Sequence, residues 1–117
     1  MRELWLPWLS AFLLTQLIEV PVYLLAQRSS ARPLWARALI GFLASAITHP
    51  VVWFVFPAVL DRLPWEWMVA CAELFAVVTE AIWLRACGVR RPLFWSVMAN
   101  GASFSLGLLS GWLFGWP

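Results

Sequence analysis

Long apolar runs alternate with short polar connections four times along this chain of 117 residues. Each run has the length of about 20 residues that an α-helix needs to cross the hydrocarbon core of a bilayer. The pattern predicts helical spans over residues 4–26, 38–60, 65–87 and 93–115. Because short connections join antiparallel neighbours, we expect a single domain over residues 1–117, an all-α bundle of four transmembrane helices with up-down topology.

Composition identifies the solvent of this bundle. Hydrophobic residues make up 63% of the chain and charged residues only 12%, whereas soluble domains carry about 25% charged residues. A soluble domain of this size could not hide so much apolar surface, so membrane lipid is the expected environment and partner. The net charge of +2 comes from eight arginines without lysine. We attribute it to orientation in the membrane and expect no nucleic-acid partner.

The arginines also predict the orientation. Six of the eight lie in or beside the first and third connections, whereas the second connection holds only Arg62. The positive-inside rule therefore places connections one and three in the cytoplasm and both termini on the non-cytoplasmic side. Eight of the ten tryptophans then fall near one interface or the other, where indole rings are favoured. We expect the protein in the bacterial inner (cytoplasmic) membrane.

Each apolar run contains polar side chains that are costly in lipid. An ionisable group at the bilayer centre costs roughly 2.5–3.5 kcal/mol on insertion scales. Glu73 and Glu80 are seven residues apart, about two helical turns, so they share one helix face. The intramembrane polar set comprises Gln16, Glu19, His49, Glu73, Glu80 and Asn100.

Depth along the helices divides most of this set into two layers. Counted from the cytoplasmic ends at about 1.5 Å per residue, Glu19, Glu80 and Asn100 lie roughly 10 Å deep. By the same count of about 1.5 Å per residue, His49 and Glu73 lie roughly 17–21 Å deep. An antiparallel bundle with short turns could bring these five side chains together, although the sequence does not fix the rotation of any helix.

Carboxyl groups that meet in a low-dielectric interior predict a proton or cation site. Two carboxyls cannot both be charged cheaply there, so at least one should be protonated or bridged by a cation. A histidine beside a glutamate suits a divalent transition metal or a proton relay. Glu19, His49, Glu73 and Glu80 are therefore candidate metal ligands, with a divalent ion as the possible cofactor. No local ligand-pair motif supports this, so three or four helices would have to build the site.

Other functions remain open for the same residues. Protonated glutamate and asparagine side chains can simply hold helices together by hydrogen bonds. The polar set could instead dock a partner in a larger membrane complex, which would make the chain an assembly subunit. Two carboxyls with a histidine also suit acid–base catalysis on a lipid-like substrate.

Glycines in the fourth span predict close helix contact. Gly107, Gly111 and Gly115 recur at every fourth position, a spacing that lets another backbone approach closely. The approaching helix could belong to the same bundle or to another chain. We therefore expect a homo-oligomer or a partner membrane subunit.

Two resemblances to known families are partial. In length and number of spans the chain resembles the small multidrug-resistance transporters, which have a single essential glutamate in the first span, the place of Glu19. The residues around it, 16–23, do not follow that family's pattern, so no functional residue is carried over. The segment 101–104 is similar to the Gly-x-Ser-Gly motif of rhomboid proteases, but Phe104 stands where the motif has glycine.

Overall fold

The described part of the chain is helical throughout. The computed structural model describes residues 2–116, and within them no strand is present. The helices are α1 (Arg2–Ala26), α2 (Leu34–Pro50), a π-helical segment (Val51–Val55), α3 (Phe56–Val59), α4 (Trp65–Ala86) and α5 (Pro92–Phe114). Helix α2, the π-helical segment and α3 follow one another without a break, so they form one continuous span.

Four of these helical stretches are long and apolar enough to cross a membrane, which confirms the predicted number. They cover Glu3–Ala26, Leu34–Val59, Trp65–Ala86 and Pro92–Phe114. The second begins four residues before the predicted position 38, because the helix starts directly after Pro33, whose backbone is extended at φ −64° and ψ 158°. The last charged residue of the connection, Arg37, thus lies inside the helix and not before it.

The four spans are arranged in a ring. Helix α1 packs against α2 and α5, and α4 packs against the same two helices from the other side. Side-chain hydrogen bonds join neighbouring helices, from Ser45 on α2 to Glu19 on α1 and from Thr48 on α2 to Glu80 on α4. The bundle measures 44 × 26 × 24 Å. Its long axis matches a bilayer with its head groups, about 40–45 Å thick.

The two ends of the ring are packed differently. At the end that carries the first and third connections, the interior is filled by a cluster of buried side chains: Tyr23, Ile40, Ala44, Leu84, Val89 and Ala99. Trp83 and Trp95 pack against this cluster from outside it. Toward the opposite end the helices leave a cavity between them, which is described below.

Helices α1 and α2 approach closely at Gly41. A Cβ atom placed on Gly41 would lie 3.1 Å from the Cβ of Tyr23 and 3.7 Å from the Cα of Val20. Only a residue without a side chain fits here comfortably. The contact brings α1 and α2 close enough for their polar side chains to meet one turn further along.

The glycines of α5 behave differently from one another. Gly115 has a φ of 65° and lies beyond the end of α5, which its left-handed conformation terminates. Gly107 lines the cavity, and no atom outside its own helix lies within 4 Å of the Cβ position. The helical part of the predicted packing face is therefore Gly107 and Gly111, and contact with another chain there stays a prediction.

Candidate functional site

Two carboxyl groups meet at the centre of the bundle. Glu19 is 2% exposed and Glu80 is 1% exposed. They belong to α1 and α4, which face each other diagonally across the ring, so both side chains point inward. The carboxyls are close enough to share a hydrogen bond when one of them carries the proton. The structure thus brings together two of the six polar residues singled out in the sequence.

Hydroxyl groups from two further helices hold the carboxyl of Glu19. Ser45 on α2 donates to its Oε1 atom at 2.7 Å. Ser103 on α5 donates to its Oε2 atom at 2.5 Å. Both carboxyl oxygens of Glu19 therefore accept a hydrogen bond, one from each helix that neighbours α1.

Glu80 is held in the same way. The hydroxyl of Tyr23 donates to its Oε1 atom at 2.7 Å, and that of Thr48 donates to its Oε2 atom at 2.9 Å. Tyr23 is fully buried at 0% exposure. All four carboxyl oxygens of the pair thus accept a hydroxyl hydrogen, and every donor is electrically neutral.

Two of these hydroxyls have an alternative acceptor. The Oγ1 atom of Thr48 lies 3.3 Å from the carbonyl oxygen of Ala44, and the Oγ of Ser103 lies 3.2 Å from that of Asn100. A hydroxyl carries one hydrogen and can also accept one. When Thr48 or Ser103 donates to its backbone carbonyl, its oxygen can accept a hydrogen bond from the protonated form of the carboxyl. The network therefore accommodates more than one arrangement of protons.

A cavity of about 320 Å³ adjoins the carboxyl pair on one side only. Glu19, Glu80, His49 and Glu73 line it, together with aromatic residues that include Trp53 and Trp65. It extends from the carboxyl pair toward the second connection, residues 60–64. On the other side of the pair, the packed cluster around Tyr23 and Leu84 fills the interior. The pair therefore lies at the closed end of the cavity.

His49 lies in the cavity wall among aromatic rings. Its ring centroid is 5.4 Å from that of Phe12, 6.2 Å from that of Trp53 and 6.3 Å from that of Trp8. The side chain is half-buried, and its Nδ1 atom has no hydrogen-bond partner within the described residues. The histidine is placed to interact with whatever occupies the cavity.

Glu73 and Asn100 border the same cavity. Glu73 is half-buried and also lines a second, apolar cleft between α4 and α5, which Asn100 shares. The amide nitrogen of Asn100 donates to the carbonyl of Ser96 on its own helix at 3.0 Å. Asn100 therefore lines the same cavity as the two carboxyls, as predicted, but its amide nitrogen bonds to the backbone of α5 and not to either carboxyl.

Gln16 is turned toward α2. Its Nε2 atom donates to the carbonyl oxygen of Phe42 at 3.2 Å. This contact joins α1 to α2 on the outside of the cavity. Gln16 therefore acts in helix packing, the role that hydrogen-bonding side chains commonly have between membrane helices.

The candidate metal ligands divide into separate groups. Within residues 2–116 no group of three or more histidine, cysteine, aspartate or glutamate side chains is placed to hold a metal ion. Glu19 and Glu80 form a pair, while His49 and Glu73 lie farther along the cavity. A divalent-metal site built from all four side chains stays a prediction. The described residues do not place these side chains in one ligand cluster.

Ser103 has a different environment from a catalytic serine. Its hydroxyl is bonded to Glu19, and the Nδ1 atom of His49 has no partner among the described side chains. The structure therefore shows no serine–histidine hydrogen bond in the described part of the chain. Ser103 serves the carboxyl pair.

The hydroxyl donors are the part of the site that sequence reasoning missed. The set of six intramembrane polar residues predicted from the sequence does not include Tyr23, Ser45, Thr48 or Ser103. The sequence does contain a signal for these donors. The depth count used for the charged residues also applies to serine, threonine and tyrosine, and it would identify the hydroxyl side chains at the depth of Glu19.

Comparison with known proteins gave no match: no family model, curated protein or solved structure matches this chain. The chemistry of the carboxyl pair and the shape of the cavity therefore carry the functional assignment.

Proposed function

We propose that this small integral membrane protein binds and exchanges a proton at the Glu19–Glu80 pair. The observation that carries the proposal is the contact of two buried carboxyls whose donors are four neutral hydroxyls. The proton reaches the pair from one end of the bundle through the cavity. His49 and Glu73 are intermediate sites on that route.

Electrostatics favours a shared proton at such a pair. Two negative charges in contact repel each other strongly in a low-dielectric interior, so protonation of one carboxyl is the least costly relief. The pair then titrates as a unit with one negative charge left over. Hydrogen bonds to a charged group contribute about 1.5–3 kcal/mol each, so the hydroxyls offset part of the cost of burying that charge.

The number of ionisable side chains in contact favours a proton over a metal ion. The pair supplies two carboxyls, and within residues 2–116 no third histidine, cysteine, aspartate or glutamate joins them in a ligand group. A proton between Glu19 and Glu80 needs no further ligand.

The cavity provides the route. A cavity of about 320 Å³ is far larger than the ~10–15 Å³ of probe-occupied volume that one water requires. Glu73 and His49 supply polar groups along its wall. Transfer to the opposite end would require the cluster around Tyr23 and Leu84 to open, so this conformation is a one-sided binding state. We include in the proposal a homo-oligomer, since a bundle of 13.3 kDa is small to enclose a complete pathway alone.

The cavity also favours a second candidate, an acid–base enzyme that acts on a lipid-like molecule. Such an enzyme requires space between Glu19, Glu73 and His49, and the cavity provides it. The aromatic side chains of Trp53 and Trp65 would contact the apolar part of the substrate. The carboxyl pair would then supply and remove protons.

Infrared spectroscopy of the protein in lipid nanodiscs tests the proton proposal. At neutral pH the wild type should show the carbonyl stretching band of a protonated, buried carboxyl, which shifts in heavy water. Glu80→Gln and Glu19→Gln should each shift this band, because the remaining buried carboxyl keeps its proton but no longer shares it with a second carboxyl.

Glu3→Gln is the matched control, since Glu3 is an exposed carboxyl at the start of α1. It should leave the band unchanged, and circular dichroism should show the same helix content in all variants. A band that keeps the wild-type frequency in both Glu80→Gln and Glu19→Gln would contradict the proposal. So would the absence of the band from folded wild-type protein.

A further inference from the structure

An arginine-lined cleft, of about 400 Å³, lies at the end of the bundle opposite the cavity and is separate from the apolar cleft between α4 and α5. It is formed between the first connection, residues 27–33, and the third connection, residues 87–91. Four arginines line it: Arg28, Arg32, Arg90 and Arg91. No carboxylate of the described chain contributes to its lining. The cleft is therefore a concentration of positive charge without a counterion.

Specific contacts hold the arginines in place. The Nη1 atom of Arg32 donates to the carbonyl oxygen of Cys87 at 2.6 Å, which ties the two connections together. The guanidinium carbon of Arg28 lies 6.0 Å from the ring centroid of Trp95. A guanidinium has five N–H donors, and these contacts occupy few of them. Most donors remain available to a ligand in the cleft.

The backbone at the cleft has an unusual conformation. Arg91 has a φ of 54° and a ψ of 53°, and within residues 2–116 no other non-glycine residue has a positive φ. It precedes α5, and no side chain caps the helix there. The first N–H groups of α5 and the positive end of its dipole are thus available to an anion. Strained backbone of this kind persists where the surrounding structure enforces it, commonly at binding sites.

Gln27 fixes the first connection beside the cleft. It is 3% exposed, and its Nε2 atom donates to the carbonyls of Tyr23 and Arg37, both at 3.0 Å. These two bonds join the connection to α1 and α2. Its Oε1 atom is buried, so contact with a ligand in the cleft is left to the arginines.

We propose that this cleft binds the head group of an anionic phospholipid such as phosphatidylglycerol. The arginine forks match the geometry of phosphate oxygens and bind them with paired hydrogen bonds. The net negative charge of the lipid supplies the counterion that the cleft lacks. A membrane lipid is the source, since the cleft lies where the apolar helices end and head groups begin, and basic pockets at that level bind lipid phosphates.

Native mass spectrometry in mild detergent tests this site, with phosphatidylglycerol and phosphatidylcholine of equal chain length as probes. Wild-type protein should retain phosphatidylglycerol, and phosphatidylcholine much less, because choline is positively charged and is repelled by the four arginines. Arg28→Gln and Arg91→Gln should each weaken retention about fivefold, the effect of one arginine near a charged membrane surface.

Arg62→Gln is the matched control, because Arg62 lies in the connection at the opposite end. It removes the same charge and should leave retention unchanged. An equal loss in Arg62→Gln, or equal retention of both lipids by wild-type protein, would overturn the proposal. So would displacement of phosphatidylglycerol by excess inorganic phosphate, which would identify the site as one for free phosphate. The two wild-type comparisons do not depend on whether any variant folds.

Discussion

The hydroxyls of Ser45, Thr48 and Ser103 show how single small residues define a site inside a membrane bundle. Each belongs to a helix adjacent to a glutamate, and each hydroxyl reaches a carboxyl oxygen. A buried carboxylate without partners is far more costly than one that accepts hydrogen bonds. Short side chains suit this role because they allow the helices to stay close while they donate.

Gly41 affects the same site because its missing side chain leaves room for Tyr23, which bonds to Glu80. We expect Gly41→Val to destabilise the protein by about 1–3 kcal/mol, the usual cost of overpacking, because its Cβ would press on Tyr23 at 3.1 Å. Thermal unfolding in detergent, monitored by circular dichroism, measures the effect. Displacement of Tyr23 should also weaken its hydrogen bond to Glu80.

Gly101→Val is the control for this substitution. Gly101 is exposed in the middle of α5, with nothing near its Cβ position. Valine is a slightly better helix former than glycine, so this variant should unfold at or slightly above the wild-type temperature. A Gly41→Val protein as stable as Gly101→Val would show that the contact between α1 and α2 is not tight.

At the scale of elements, the lengths of the spans could be predicted because hydrophobic runs and bilayer thickness impose them. The start of the second span could not, since Pro33 and not the last charged residue sets it. Depth counting assigned Glu19 and Glu80 to one level, and the structure has them in contact. Helix rotation has no comparable signature, so the sequence did not distinguish Asn100, which bonds to its own helix, from a member of the carboxyl cluster.

The second span also contains a π-helical segment, of which the sequence indicates only the proline before it. Pro50 has no N–H to give to the carbonyl four residues earlier, which predicts a loosened helix. The structure shows a π-helical segment directly after it, in which the amide of Phe56 donates to the carbonyl of Val51, five residues back. Trp53 lies in this segment and lines the cavity, so the irregular turn shapes the cavity wall.

Pro50→Ala should restore regular α-helix at this point. Alanine supplies the missing N–H and removes the clash of the proline ring, so the amides of residues 51–55 should exchange with heavy water more slowly than in the wild type. Hydrogen–deuterium exchange with mass spectrometry reports this difference. The register of Trp53 would rotate as the extra residue of the π-turn is absorbed.

Pro57→Ala separates the contributions of the two prolines. Pro57 also lies inside the continuous second span, and it has no N–H to give to the carbonyl of Trp53, within the π-helical segment. If Pro50 causes the segment, exchange at residues 51–55 should slow in Pro50→Ala and remain as in the wild type in Pro57→Ala. Slowing in Pro57→Ala alone would assign the segment to Pro57.

The two ends of the molecule differ in structure. One end has the packed cluster and the arginine cleft, and the other has the open cavity. The positive-inside rule expects the arginine end in the cytoplasm. In that orientation, the proposed proton exchange at the Glu19–Glu80 pair would take place with the non-cytoplasmic side, and the proposed lipid site would lie in the cytoplasmic leaflet.

Cysteine labelling in intact cells tests this orientation. The native thiols at Cys71 and Cys87 are free, so a background with both changed to alanine is needed. In that background we expect Leu63→Cys, in the second connection, to react with a membrane-impermeant maleimide from outside. Ser29→Cys, in the first connection, should react only after the cells are opened. Both positions are exposed in the bundle, so both should label in detergent, which controls for reactivity.

The reverse pattern would mean that the cavity opens to the cytoplasm. The arginine cleft would then lie in the non-cytoplasmic leaflet, which is the opposite of what the positive-inside rule predicts.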